Sequence, residues 1–356
     1  MVKIELESLK RFCKDALVQE GMQVEYAQIV AEVLSETDAY GTYSHGTKNL
    51  YNYIKKARAG GLDLHGKPEI IAEGPAFAVY DANKTMGMIS SYIAMQKAVE
   101  KAKVSGIALV GVKNSCHFGA AGYYANMAAK EGMIGLCMSN VDPNMTAPGA
   151  RGMLLGNNPI AYAAPSSTVP SVFLDIALSN AASLKVVQAR KDGRQIPDNW
   201  IVDKDGLPTT DPSRYPEEGA MQPMAAHKGY GLSIMVDLLT GILTGGATSM
   251  SGDIVSWCFE MEKPNNVCHT FIAVNPVLFN GKDSISDDVE NMAGILRNAP
   301  RAKGADRIFT PGEIEWNHYQ TAVEEGLTIP EDVAAPLKDL AQDLGIVFPI
   351  MEQGGN

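Results

Sequence analysis

Cysteine is scarce in this 356-residue chain. There are five, Cys13, Cys116, Cys137, Cys258 and Cys268, an odd number with no Cys-x-x-Cys pair. That pattern excludes a disulfide frame or zinc ribbon and points to free thiols in a reducing cytoplasm. The six histidines contain no His-x-x-x-His pair, so no metal site is expected. No stretch approaches ~20 apolar residues, which leaves no expected membrane span. The opening Met-Val-Lys-Ile-Glu-Leu-Glu carries acids where a signal peptide would carry an apolar core. Positive charge is short too: 30 Lys plus Arg against 41 Asp plus Glu leave a net charge of −11. That is the wrong balance for a protein that tracks nucleic-acid phosphates. Small anionic substrates stay open, since they need only one or two local cations.

The glycine fingerprints of common nucleotide enzymes are also missing. Gly106-Ile-Ala-Leu-Val-Gly111 and Gly149-Ala-Arg-Gly152 have the wrong spacing for the G-x-G-x-x-G turn, in which backbone N–H groups reach a pyrophosphate. There is no G-x-x-x-x-G-K-[ST] loop and no G-x-S-x-G nucleophile elbow.

What is present is apolar material, 46% of residues, enough for a sizeable core, and a length that suits two or three domains. Leu9, Phe12, Cys13 and Ala16 recur at helical spacing, as do Ala27, Val30 and Leu34 before Gly41. A third helix is expected from Ser44 to Ala59, ahead of Gly60-Gly61. Strand-length apolar runs follow at 77–80, 107–112, 133–138, 160–164, 172–176 and 270–274, bounded by Gly, Pro, Asn or Asp. A long helix carries Met88, Tyr92, Met95, Val99 and Ala102. Leu232, Met235, Val236, Leu239, Ile242 and Leu243 make the clearest amphipathic stripe. Helix is expected again at 286–298 and around Val333, Leu337, Leu340 and Leu344, with Pro336 interrupting. The expected architecture is mixed α/β, with helical segments from both chain ends packed together around a central α/β body. Residues 352–356, Glu-Gln-Gly-Gly-Asn, read as a loose tail.

Four segments carry chemistry-bearing side chains. In Ser44-His45-Gly46-Thr47-Lys48-Asn49, Ser44 can cap the third helix and place His45 in its first turn, where free N–H groups favour a neutral imidazole. A simple cap with a surface His and Lys is the plain alternative. Asn114-Ser115-Cys116-His117-Phe118-Gly119 lies at a strand-to-helix junction, a common position for reactive groups, and imidazole suits proton transfer near neutrality. A buried structural His is the alternative there. Adjacency of Cys116 and His117 does not make a thiol–imidazole pair, because neighbouring side chains in extended chain point apart. Ser139-Asn140-Val141-Asp142-Pro143 leaves another strand, and Asp142 could orient a His or close a turn. His227-Lys228-Gly229-Tyr230-Gly231 heads the amphipathic helix. A Lys there opposes the helix dipole, which suggests an anion partner or simple solvation.

Taken together and in order, these segments resemble the type 2 malate/L-lactate dehydrogenase family, which includes ureidoglycolate, sulfolactate and diketogulonate dehydrogenases and a cyclic imine reductase. The similarity spans nearly the whole chain. It is carried by Ser44-His45-Gly46, His117 with Gly119, Asp142-Pro143, Gly156-Asn-Asn-Pro159, Asp175-Ile-Ala177, Ile196-Pro197 to Trp200, Gly206-Leu-Pro-Thr-Thr-Asp-Pro212, Lys228-Gly-Tyr-Gly231 and Pro311-Gly312-Glu313. The resemblance implies a non-Rossmann dinucleotide-binding domain with a largely antiparallel sheet at 76–312. It also implies a helical domain from both ends, 1–75 and 313–356, and a homodimer that binds NAD, with NADP possible. By the same resemblance His117 is the catalytic acid/base, with Asp142 and His45 beside the reacting centre. Ser44, Lys48 and Asn49 are the candidate substrate contacts. His45, Val141, Asp175, Ile176, Ala177, Lys228, Gly312 and Glu313 match dinucleotide contacts, and no metal ligand is implied.

The chain departs from the family pattern at two of these positions. Many members have Arg where Asn49 stands, and Lys48 with Asn49 cannot reproduce a two-pronged guanidinium–carboxylate clamp. Val141 replaces a frequent Ser, so only a backbone contact survives there. The expected activity is hydride transfer between NAD(P) and a small 2-hydroxy or 2-oxo acid. The alternatives are an NAD(P)H-dependent C=N reductase, a thiol hydrolase built on Cys116 and a non-catalytic dinucleotide binder. A small-molecule substrate is expected, with no nucleic-acid or membrane partner.

Overall fold

Residues 1–351 are described by a computed structural model, and the expected loose tail at 352–356 lies outside them. Strand β1 (Val2–Ile4) leads into α1 (Leu6–Gln19) and α2 (Val24–Ala39), which bury Leu9, Phe12, Cys13, Ala16, Ala27, Val30 and Leu34 at the expected spacing. The third helix starts later than expected. A 3-10 turn at Thr47–Asn49 comes first, and α3 runs over Leu50–Arg58 with Asn49 rather than Ser44 at its N-cap. The reason is Asp38 of α2, whose carboxylate accepts the Thr47 N–H at 3.1 Å. A partner from another helix thus replaces a local cap.

Next come the hairpin β2 (Glu69–Gly74) and β3 (Phe77–Asp81), then α4 (Gly87–Ser105) and β4 (Ile107–Ser115). Helix α5 (Ala121–Lys130) is followed by β5 (Ile134–Ser139), β6 (Ile160–Pro165) and β7 (Ser171–Ile176). Beyond α6 (Ser183–Lys191), a small sheet is built from β8 (Ile201–Val202), β9 (Pro208–Thr209) and β10 (Ala220–Met221). Helix α7 (His227–Asp237) continues through a π-helical stretch, Leu238–Ile242. The chain then forms β11 (Val267–Val274), α8 (Val277–Asn280), α9 (Ser286–Arg297), α10 (Glu313–Glu325), β12 (Leu327–Ile329) and α11 (Glu331–Leu344). Helix α11 runs through Pro336, and Val333, Leu337 and Leu340 stay buried in phase.

The main sheet has seven strands in the order β2-β3-β4-β11-β5-β6-β7. Its neighbours are antiparallel except β3 and β4, which are joined through α4. This is the largely antiparallel sheet that the resemblance implies. Strand β11 is the last strand of this sheet in the chain and slots antiparallel between β4 and β5, so the exits of β4 and β5 share one region with the entry of β11. Helix α4 packs against β11, as does the π-helical stretch. A strand covered in this way reads as one apolar run. Chain ends meet through β1 and β12, which pair antiparallel from Val2 opposite Ile329 to Ile4 opposite Leu327. One core then joins Leu9, Leu34, Val110, Phe271 and Leu337. Each such fully buried side chain contributes about 1.5–3 kcal/mol.

The amphipathic stripe at 232–243 faces the core only in part: Val236 is buried and Leu239 packs beside it, as expected, but the rest turns outward. Leu232, Leu238, Ile242 and Leu243 are exposed, up to 62% at Ile242, while Gly229, Ser233, Asp237, Thr240 and Gly241 are buried. Apart from Val236 and Leu239, the inward face is small and polar because it lies against backbone. Thr270 of β11 donates to the Leu239 carbonyl at 2.6 Å, and Ser233 donates to the Gly156 carbonyl at 2.8 Å.

Candidate active site

The exit of β4 delivers His117. Its backbone N–H donates to Asn265 Oδ1 at 2.9 Å, and its Nδ1 lies 2.5 Å from the Tyr53 hydroxyl of α3. A phenol oxygen can donate to bare Nδ1 or accept from Nδ1–H, so Tyr53 can hold the ring in either state. Trp257 stacks on both partners, with ring centres 4.7 Å from His117 and 4.7 Å from Tyr53. Beneath the loop, Gly87 at the head of α4 touches the backbone of 116–117. A Cβ built there would lie 2.0 Å from the Cys116 oxygen and 2.6 Å from the His117 oxygen. Burial, helped by the nearby His45 and His269, holds the His117 imidazole well below the usual histidine range.

The Ser44–Asn49 turn brings His45 within 5.5 Å of the His117 ring, the two planes 25° apart. The packed surroundings of the ring, with some contribution from Lys48, lower the His45 pKa, although the residue keeps solvent-exposed surface. Ser44 Oγ sits 2.7 Å from His45 Nδ1. Asn49 is buried and donates through Nδ2 to the Ser44 carbonyl at 2.9 Å, so its amide shapes the turn. Lys48 lies 3.8 Å from the Asp332 carboxylate. Asp38 also sets this turn. Its Oδ1 would be 1.8 Å from a Cβ at Gly46, so only glycine fits. Burial raises the Asp38 pKa to about 7.

Past β5, Asn140, Val141 and Asp142 are held by a buried polar network centred on Asp237 of α7. Asp237 accepts from Asn140 Nδ2 at 3.2 Å, Asn158 Nδ2 at 3.0 Å and the Ser249 N–H at 2.8 Å. Asn158 Oδ1 in turn accepts the Val141 N–H at 3.1 Å. Asp142 follows this anchored turn, and burial raises its pKa. Among the described residues it makes no hydrogen bond to His117, so its orienting role gains no direct contact here. Across β11, buried His269 bonds Ser139 Oγ at 2.8 Å and Ser115 Oγ at 2.9 Å, tying together the exits of β5 and β4.

The other predicted positions form a second group that adjoins the first. Asp175 on β7 accepts the Gly122 N–H of α5 at 2.7 Å, and burial raises its pKa to about 6. Ile176 ends that strand and Ala177 follows it. The next residue, Leu178, is bonded through its carbonyl to the Met224 N–H just ahead of α7. Ala225 and Ala226 both have φ near +50°, a left-handed pair that is costly for alanine and turns the chain sharply into α7. Lys228 follows, exposed and without an ion pair among the described residues. Gly312, at φ +84°, precedes α10 beside Phe173. The Glu313 carboxylate points into its own turn, where it accepts from Thr310 and pairs with Arg307, so it offers no free carboxylate. A cavity of about 390 Å³ opens between the Pro143 turn and α7, lined by Ala147, Leu155, Tyr230, Ile234 and Ser249 among others.

Cys116 is a packed thiol. It is 2% exposed, burial pushes its pKa up to about 12, and its neighbour His117 bonds Tyr53. A thiolate nucleophile does not fit that environment. Tyr53, Trp257 and Asn265 were not singled out by sequence reasoning. Tyr53 shares the α3 apolar face with Leu50 and Ile54, so spacing gives it the signature of an ordinary core residue.

Comparison with known proteins follows from this geometry. The profile of the malate/L-lactate dehydrogenase family matches residues 4–338. A malate dehydrogenase from Pyrococcus abyssi (strain GE5 / Orsay) is 36% identical over 352 residues, 97% of this chain and 96% of the relative. An NAD(+) ureidoglycolate dehydrogenase from Escherichia coli (strain K12) is 32% identical over 332 residues, 93% and 94% of the two chains. The solved sulfolactate dehydrogenase from Methanocaldococcus jannaschii matches with a TM-score of 0.89 at 33% identity, covering 97% of this chain and 98% of that one.

Proposed function

Because the chain belongs to the malate/L-lactate dehydrogenase family, and so is a hydroxy-acid dehydrogenase, we propose that it oxidises a small 2-hydroxy acid with NAD, using His117 as the acid/base. The observation that carries this reading is the His117 imidazole, bonded to Tyr53, stacked on Trp257 and adjoining His45. In the tautomer with Nδ1–H donated to the phenol oxygen, Nε2 keeps a lone pair; the other tautomer, with Nδ1 accepting from Tyr53 and, at 3.4 Å, from the Gly119 N–H, carries the proton on Nε2. In the first, Nε2 takes the proton of the substrate hydroxyl as that carbon is oxidised, and returns it to the oxo group in reduction. The depressed pKa keeps this nitrogen unprotonated at neutral pH. Tyr53 fixes the ring plane, and Trp257 limits access of water.

When bound, a nicotinamide dinucleotide supplies the hydride acceptor or donor. Asp175, Ile176, Ala177, Lys228 and Gly312 would hold it, with His45 and the Val141 backbone near the reacting end. The residues fit such a group. Lys228 is a free cation for a pyrophosphate, and the cavity beside Pro143 is mostly apolar, as a flat ring requires. Ser44 and Lys48 are the remaining candidates for the substrate carboxylate, since the Asn49 amide is engaged in its own turn.

The test is absorbance at the reduced-nicotinamide band with a panel of 2-hydroxy acids, 2-oxo acids and cyclic imines, each with both coenzymes. Turnover of a hydroxy acid with NAD is expected. Turnover confined to cyclic imines would give the reading to C=N reduction, and coenzyme binding without any turnover would leave a binder.

The outward ridge of Leu232, Leu238, Ile242 and Leu243 supports a homodimer, because exposed apolar residues at one helix face gain by mutual burial. Sedimentation should give the mass of two chains, and a monomer at micromolar concentration would refute it. The five cysteines are unpaired, which supports a cytoplasmic setting.

A further inference from the structure

We infer that Lys56 is a positioning residue that clamps the 256–263 loop so that Trp257 stays stacked on His117, an inference that rests on the acid/base reading above. Lys56 is fully buried, yet among the described residues no carboxylate pairs with it. Its ammonium donates instead to two backbone oxygens of the loop, Glu260 O at 2.7 Å and Lys263 O at 2.6 Å. The carboxylate of Glu260 is turned away, to Lys263 Nζ at 3.0 Å. An ammonium removed from water without a counter-charge is strongly disfavoured unless its protons are bonded. Such a group therefore stands where carbonyl oxygens have to be gathered.

The arrangement gathers one loop at two points. Asn265 takes the near end, donating to the Val255 carbonyl while accepting the His117 N–H. Lys56 takes the far end. Trp257 lies between these two anchors, its ring on His117 and Tyr53. Tyr53 and Lys56 are three residues apart on α3, which puts them on one helical face. A single helix thus holds the imidazole directly and its cover through the loop. Gly61 completes the seat. A Cβ there would come within 2.2 Å of Met261 O and 2.7 Å of Lys263 O, so the loop rests on bare backbone.

The experiment reads Trp257 directly, as the difference in acrylamide quenching between each protein and its Trp257→Phe counterpart. Lys56→Met removes the ammonium and keeps the stem. It should raise quenching of Trp257 at least twofold and lower kcat about tenfold, with NADH affinity within threefold of the parent. Lys56→Met combined with Trp257→Leu should be no slower than Trp257→Leu alone, because both act through the same ring. Gly61→Ala, whose Cβ would crowd Met261 O, Lys263 O and, at 3.1 Å, the Lys56 ammonium itself, displaces the same clamp with the lysine still present; it should increase quenching in the same way and decides the matter if Lys56→Met does not fold. Parental quenching in a folded Lys56→Met or Gly61→Ala protein would overturn the clamp, as would fully multiplied losses in the double variant. If the parent chain transfers no hydride, the functional reading fails and quenching alone still decides the clamp.

Discussion

Replacing His117 with Ala or Asn should lower turnover by ~10²–10⁴ while coenzyme affinity stays close to that of the parent, the scale of losing a general acid–base group. The prediction separates proton transfer from packing. The ring is partly accessible and its backbone is fixed independently, by Asn265 on one side and Gly87 on the other. Asn at 117 keeps the main-chain contacts and removes only the imidazole. Unchanged turnover would take His117 out of the mechanism. The pH dependence has a definite sign. Oxidation needs the unprotonated ring, and burial depresses its pKa, so kcat/KM for oxidation should hold steady well below pH 6.5 and fall only in stronger acid. Reduction needs the protonated ring and should therefore be favoured by acid. Profiles in both directions on the parent enzyme check this, and an oxidative inflection at or above pH 6.5 would contradict it.

The second large effect is expected at Asp237. Its carboxylate is buried, pairs with no cation among the described residues, and is satisfied by N–H and O–H donors from Asn140, Asn158 and Ser249. Asp237→Ala leaves the Ser249 N–H without this acceptor and weakens both amides, at a cost of roughly 2–4 kcal/mol. Asp237→Asn should also destabilise, despite its equal size. With its oxygen kept toward Asn140 and Ser249, its new amide group faces Asn158 Nδ2, where Oδ2 now accepts at 3.0 Å. Asn158 could flip to relieve that clash only by giving up the Val141 N–H. Both variants should melt earlier than the parent and lose turnover as the Val141–Asp142 turn loosens. Thermal melting and steady-state rates measure the two effects, and an Asp237→Asn protein with parental values of both would refute the account.

The sequence revealed those parts of this site whose chemistry is local. His45, His117 and the 139–143 turn stand out because polar residues crowd strand exits and turns. Helices α1, α2 and α11 were legible for a related reason, since their buried residues repeat at helical spacing. Tyr53, Trp257 and Lys56 were not legible. Each acquires its role from a contact made across 64 to 207 residues of chain, as in Tyr53 with His117 and Lys56 with Lys263, and spacing carries no trace of such contacts. Ser44 misled as a cap because Asp38, from another helix, supplies the acceptor. The stripe at 232–243, right for Val236 and Leu239, misled at Leu232, Ile242 and Leu243 for the converse reason. Periodicity shows that a helix has two faces, but the inward face here is chosen by backbone approach and hydrogen bonds, which favour small polar residues. Sheet order was unreadable because β11 joins strands more than a hundred residues earlier in the chain.

The bare glycine at the head of α4 has an evolutionary corollary. Any side chain at 87 would have to displace the mount of the imidazole itself, so this floor cannot drift gradually toward a new substrate. Selection for altered specificity in the laboratory should leave Gly87 untouched and accumulate changes in the loops above it.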